Sequence, residues 1–479
     1  MASITVGSWH WATAAILRRR GAPTRRAERA RAAGSVAAMT EGDAPAARSG
    51  TFVAFRYRNF TLMWSASLLS SSGTWLQNVA VPFVIYRITE SGAWLGFTGF
   101  LSYLPMVITG PWAGSVADRY QRRTVLLVTG VLQFGLTMAL WAVWAAGERR
   151  IGPILVLLVA NGFAAGFSVA SWQAFVTELV PREHLLNAVT LNSAQFNAAR
   201  AFGPALGGIV LATLGAGWSF FINAMTFLAM IVALLLVKVP PLVRAKVVGR
   251  AKPLSEMLDA VRYVRTEAGI VVCLLVVFTL GFLGGPLFNL LVVFADDVFK
   301  VGDGVYGLLA GCMGAGAILV APLVAGRGSR MARSRLVSFA MAAYGLALIA
   351  LGLAPVAPLA AAALLVAGAG YLGISSTLNT TVQLQVTELM RGKVLALYIM
   401  VLTIAVPLGS LVQGWLVDLI GVQATVSGAG ALFLVVFLAL RFGTSRLDAM
   451  DDLSRGSLGV QDRLDVAEAE SAEAAIDPI

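Results

Sequence analysis

The sequence predicts an all-α membrane protein, with about twelve transmembrane helices arranged as two pseudo-symmetric six-helix bundles. Three observations carry that expectation. The 479 residues are 58% hydrophobic and only 13% charged, against roughly 25% charged in a soluble domain, which leaves too few charged side chains to cover a water-facing surface. The apolar residues run on in about twelve stretches of about 20 residues, each able to cross a ~30 Å hydrocarbon core at about 1.5 Å per residue. Short motifs also recur 208 to 210 residues apart, as duplicated halves require.

Taken from the N-terminus, residues 1–50 are rich in Ala and Arg. The stretch from Ile4 to Leu17 is too short to span, and Arg18, Arg19 and Arg20 follow rather than precede it, the wrong order for a signal peptide. An unstructured basic extension is expected there, or a start at Met39 rather than Met1. The expected spans are 62–86, 93–116, 124–146, 152–177, 186–212, 218–237, 269–294, 304–326, 336–354, 357–385, 394–417 and 421–440, with Arg200 as their one charged residue. These give an N-terminal bundle over 51–238 and a C-terminal bundle over 269–442. The break at 239–268 carries Pro240, Pro241 and Pro253 among basic residues. It continues with Leu254, Met257, Leu258, Val261 and Val264 at spacings of three and four, the pattern of an amphipathic helix on a membrane surface. The tail over 443–479 is rich in Asp, Glu, Ser and Ala and is expected to be acidic, solvated and disordered.

Charge sets the expected orientation. With both termini in the cytosol, 31 of the 36 Lys and Arg fall on that side and four on the other: Arg87, Arg149, Arg150 and Lys300. That is the asymmetry of a multi-pass protein of a cell membrane obeying the positive-inside rule. The same scatter among short loops argues against nucleic acid as the partner of the net charge of +11. Cys273 and Cys312 lie in apolar runs and make neither a disulfide framework nor a metal site, and no phosphate-binding loop appears. No cofactor and no enzyme activity is expected.

Duplication is visible in Val176-Thr177-Glu178-Leu179, repeated as Val386-Thr387-Glu388-Leu389, and in Arg119 and Arg122, matched by Arg327 and Arg330. The connection after span 2 holds Gly114, Asp118, Arg119, Arg122 and Arg123. Three arginines beside one carboxylate at a membrane boundary can make multidentate, charge-assisted bonds that latch one conformation, whereas simple positive-inside anchoring would account for Arg122 and Arg123 alone. Gly326 stands where Asp118 would align in the second half, so a second latch is expected to be degenerate.

The Gly114, Asp118-Arg119, Arg122-Arg123 pattern resembles the loop signature of the major facilitator superfamily, with Gln121 near the place of that signature's following glycine. The run from Pro181-Arg182-Glu183 through Asn187, Asn192 and Arg200 to Gly203-Pro204-Ala205-Leu206-Gly207-Gly208 is similar to the branch of siderophore exporters and transmembrane secretion effectors. Gly203, Pro204, Gly207 and Gly208 resemble that superfamily's antiporter signature, with Ala199 replacing its earlier glycine. Proline removes a backbone donor and glycines allow close, sliding helix contact, so a gating role is weighed against ordinary packing. The resemblance implies alternating access and exchange for protons.

Candidate substrate contacts are Arg200 and the polar or aromatic residues inside apolar spans: Gln77, Asn78, Tyr103, Asn161, Gln173, Asn192, Asn289, Asn379 and Gln383. A lone Asn or Gln in a membrane helix also serves as interhelical glue, and Arg200 is open to either a cavity or a structural role. Such a site is large and mostly apolar, suited to amphiphiles. A proton carrier would have to be a boundary carboxylate among Asp118, Glu178, Glu388, Asp296, Asp297 and Asp418, since none lies within a span. The reading is a monomeric secondary transporter exporting an amphiphilic drug or siderophore-like metabolite. Its rivals are a facilitator or importer of the same fold, and a non-transporting sensor or scaffold.

Overall fold

The computed structural model describes residues 52–238, 253–300, 303–326, 328, 331–443 and 446–451. The expected N-terminal extension, residues 239–252 of the basic linker and the tail beyond 451 lie outside the described residues.

The described chain is almost entirely helical. The first bundle contains α1 (Arg58–Thr89), α2 (Gly92–Arg119), α3 (Arg122–Ala145), α4 (Ile151–Val176), α5 (Leu185–Leu214) and α6 (Ala216–Leu236). After a linker helix, Pro253–Thr266, come α7 (Ala268–Val298), α8 (Asp303–Ala325), α9 (Arg333–Gly352), α10 (Ala357–Gln385), α11 (Glu388–Ile420) and α12 (Val422–Leu438). In the first bundle α1 packs on α5 and α6, α2 on α4, and α3 on α4 and α6. In the second, α8 packs on α10, α9 on α10 and α12, and α7 on α11.

Ten of these helices are long and apolar enough to cross a membrane. The other two, α1 and α5, have the length, 32 and 30 residues; α1 is rich in polar side chains, and the described apolar stretch of α5 is Phe202–Leu214. Polar side chains of the two helices meet where they pack on each other. Ser67 donates to Gln195 at 3.1 Å, Gln195 donates to Ser71 at 3.0 Å, and the Trp64 indole donates to the Leu191 carbonyl at 2.9 Å. Polar groups that face another helix and find partners there escape the cost of facing lipid.

The connections fall at two ends. The linker end holds the α2–α3, α4–α5, α8–α9 and α10–α11 connections as well as the linker; the far end holds the rest. Far-end turns repeat between the halves. Glu90 and Lys300, 210 residues apart, both have left-handed backbone at φ 49° and 50°. Gly215 and Gly421 end α5 and α11 at φ 84° and 82°, a conformation glycine adopts without steric cost.

One helix is not regular. Around Gly284-Gly285-Pro286 α7 widens into π-helical turns at Leu280–Gly284 and again at Phe294–Val298. Pro286 has no N–H to give the Phe282 carbonyl; the Gln413 side chain on α11 donates to it instead, at 2.8 Å, and to the Leu283 carbonyl at 3.1 Å. The linker helix buries Ala260 and Val264 and leaves Met257 and Leu258 exposed. After α12 a helical turn, Arg446–Met450, buries Leu447 and Met450 completely at the linker end of the second bundle. Asp451 just beyond it accepts from the Ser334 amide and hydroxyl at the start of α9.

Candidate functional site

The contacts that join the two bundles gather toward the far end, along two seams. On the α5/α8 seam, a Cβ placed on Gly208 would lie 2.1 Å from the Gly307 Cα, and one on Gly311 would lie 3.0 Å from the Ala205 Cβ. On the α2/α11 seam, a Cβ on Gly96 would lie 2.2 Å from the Ser410 carbonyl oxygen, and one on Gly414 would lie 2.6 Å from the Gly96 Cα. Backbones this close exclude any side chain. Gly208 and Gly414 are 206 residues apart, as are Gly203 and Gly409, and these inner glycines press on Trp75 of α1 and Phe282 of α7. The Gly203–Gly208 segment of the first half thus has a structural counterpart in the second. In it Gly203 and Gly207 pack within the first bundle, and Gly208 meets the second.

Side chains close the far end further. The Tyr306 hydroxyl donates to the Val79 carbonyl at 3.0 Å, Tyr86 donates to Asp297, and Arg87 meets Asp296 at 3.3 Å. Asp418, near the end of α11, accepts from the Ser91 hydroxyl at 2.6 Å and from the amides of Gly92 and Ala93 at 2.5 and 3.0 Å.

Immediately on the linker side of the α5/α8 crossing lies a cavity of about 420 Å³. Phe202 and Ala198 of α5, Phe288 of α7, Ala317 and Ile318 of α8, and Tyr371 of α10 supply its main walls. Its small residues come from helices that must pack closely, as where a Cβ on Gly368 would lie 1.9 Å from the Met313 carbonyl oxygen. Among the described residues no charged side chain lines it, and the side-chain polar groups there are the hydroxyls of Tyr371 and Ser375. A site of this size and lining takes an apolar or aromatic body and orients it by a few polar contacts.

The residues singled out from sequence distribute as follows. Asn223 donates to Gln77 at 2.8 Å, Asn161 donates to Thr137 at 3.1 Å, and Trp172 donates to Asn192 at 3.2 Å, all within the first bundle. Gln383 donates to Asn379 one turn away on α10. Asn289 sits at the seam, 2.7 Å from where a Gly99 Cβ would be. Asn78, Tyr103 and Gln173 are exposed on α1, α2 and α4. Arg200 occupies α5 one turn before Pro204; its side chain lies outside the described residues.

At the linker end Arg122 donates to Glu178 at 2.8 Å and to the Ala174 carbonyl at 3.0 Å, both groups being largely buried. Arg123 caps α6 through the carbonyls of Leu234 and Leu235, at 2.7 and 3.1 Å. Asp118 and Arg119 are exposed, and a Cβ on Gly114 would meet nothing within 4 Å. Sequence reasoning missed Gln413 and the cavity residues Phe202, Phe288, Tyr371 and Ser375. Pro286 beside two glycines inside a span was the available signal for the first; the second had none, because a cavity wall and a lipid-facing wall use the same residue types.

Two like bundles meeting along glycine seams over an apolar cavity define a membrane transporter of the major facilitator type. Within that superfamily the chain belongs to the transmembrane secretion effector family, whose model matches residues 49–470. It is 24% identical over 393 residues to the staphyloferrin A transporter of Staphylococcus aureus, covering 80% of this chain and 96% of that protein. It is 29% identical over 209 residues to the enterobactin exporter of Citrobacter koseri, covering 43% of this chain and 48% of that one. Among solved structures, a bacterial homolog of the human lysosomal transporter Spinster, in an inward-facing and unoccupied conformation, superposes with TM-score 0.67 at 16% identity. That match covers 83% of this chain and 99% of that one, and a likeness at that identity is one of fold.

Proposed function

We propose that the protein exports amphiphilic small molecules, drug or siderophore-like, by alternating access in exchange for protons. The observation that carries this reading is the largely apolar, aromatic-walled cavity on the linker side of a sealed far end. If the linker end is cytosolic, as the Lys and Arg distribution favours, the structure has the geometry of a carrier loading its cargo from inside the cell. The staphyloferrin A transporter and enterobactin exporter among its relatives support a siderophore-like cargo. One chain supplies the whole cavity, which fits a monomer as the working unit.

The test uses inverted membrane vesicles and a panel of fluorescent aromatic amphiphiles. An interior-acid pH gradient is expected to drive dye into vesicles that hold the protein. Ala317→Trp, which fills the cavity, should abolish uptake, and Phe288→Ala should raise KM several-fold by removing a buried aromatic contact of about 1 kcal/mol. Dye that merely equilibrates, with no response to the gradient, would make the protein a facilitator and overturn the exchange reading.

A further inference from the structure

Asp418 is one of the boundary carboxylates, and its bonding contrasts with that of Glu178 at the linker end. Glu178 is held by Arg122 of the same bundle, so that bond is indifferent to whether the bundles part. Asp418 belongs to the second bundle and its three donor residues, the capping Ser91 and the first-turn Gly92 and Ala93, belong to the start of α2 in the other. Oδ1 takes the Gly92 amide, and Oδ2 takes both the Ser91 hydroxyl and the Ala93 amide. Every bond is therefore charge-assisted, two of the three come from amides that a helix start leaves without a backbone partner, and all cross a seam that must part when the far end opens.

The pairing is also one-sided. The position related to Asp418 by the 206-residue offset is Ala212 on α5, so the α5/α8 seam has its glycine crossing but no equivalent carboxylate. Among the described residues, the bridge from Arg87 to Asp296 at 3.3 Å is half-exposed at Arg87, and exposed pairs contribute little. The remaining groups around the far-end vestibule are Tyr86, Glu90, Asp297 and Lys300; Tyr86 and Asp297 make a single bond to each other.

We propose that Asp418 is the latch of the far gate: a positioning residue that holds α11 on the start of α2, whose release is needed for the far side to open. The inference rests on the transporter reading, but its test does not depend on transport. Spin labels at Ala146→Cys and Leu353→Cys, exposed far-end sites on the two bundles, report the gap across the gate by pulsed electron resonance, in a background with Cys273 and Cys312 replaced.

Asp418→Asn keeps the shape but turns an N–H₂ group toward N–H donors. It is expected to raise the population with a widened far end by roughly tenfold, the effect of losing charge-assisted bonds. Ser91→Ala removes one donor and leaves the two amide bonds, so its shift should be smaller and in the same direction. Monodisperse, fully folded Asp418→Asn protein with an unchanged distance distribution overturns the proposal. So does a Ser91→Ala shift as large as that of Asp418→Asn, which would place the latch in the hydroxyl. A widened far end in a protein that moves no dye would keep the latch and sink the exporter reading.

Discussion

At the scale of single residues, polar side chains earn their place by satisfying groups that helix geometry strands. Gln413 replaces the backbone donor that Pro286 cannot supply, and removing it leaves carbonyls unpaired in a dry interior. Gln413→Leu is expected to destabilise the protein by about 1–2 kcal/mol, read as a lower thermal unfolding midpoint in detergent. Arg122 and Glu178 make a largely buried pair in which either lone partner is costly. In a double-mutant cycle, Arg122→Ala with Glu178→Gln should therefore be less harmful than the single changes predict, with a coupling of about 1–3 kcal/mol in unfolding measurements. The arginines were legible in sequence because charge at a boundary is rare and conspicuous. Their partners were legible only in part: Glu178 lies 56 positions from Arg122, and Arg123 bonds carbonyls that no side-chain pattern announces.

At the scale of elements, the glycines divide sharply by what surrounds them. Gly208→Val and Gly414→Val would place side chains into opposing backbone, so each should wedge its seam and abolish dye export while the bundles themselves stay folded. Gly114→Ala meets open space in this conformation and should leave stability within about 0.5 kcal/mol. Helix existence and order could be read from hydropathy, because lipid demands long uninterrupted apolar runs. The widening of α7 could not, since an unbroken apolar stretch reads the same whether its hydrogen bonds run regularly or not. The polarity of α1 and α5 was visible as Ser, Asn and Gln. That part of this polarity forms a ladder between those two helices required seeing Ser67, Ser71 and Gln195 together.

At the scale of the whole molecule, the two halves share an architecture, and the fastenings seen among the described residues are distributed unevenly between them. The repeated offsets already implied two bundles, and the far-end turns at Gly215 and Gly421 carry the repeat into backbone conformation. The cavity was not legible because it is assembled from α5, α7, α8 and α10, helices brought together from both halves. Among the described residues, the linker end of the first bundle is fastened by Arg122 and Glu178 and that of the second by the turn after α12. Truncation after Gly443 is expected to cost about 3 kcal/mol through loss of the buried Leu447 and Met450, measurable as a lower unfolding midpoint and poorer recovery from membranes.

That final turn has a practical corollary. Any affinity handle or fluorescent fusion joined before Asp451 would pry Leu447 and Met450 from their seat and strip Ser334 of its acceptor. A reporter appended beyond residue 451 leaves the plug in place, so the choice of junction decides whether a tagged version behaves like the native carrier.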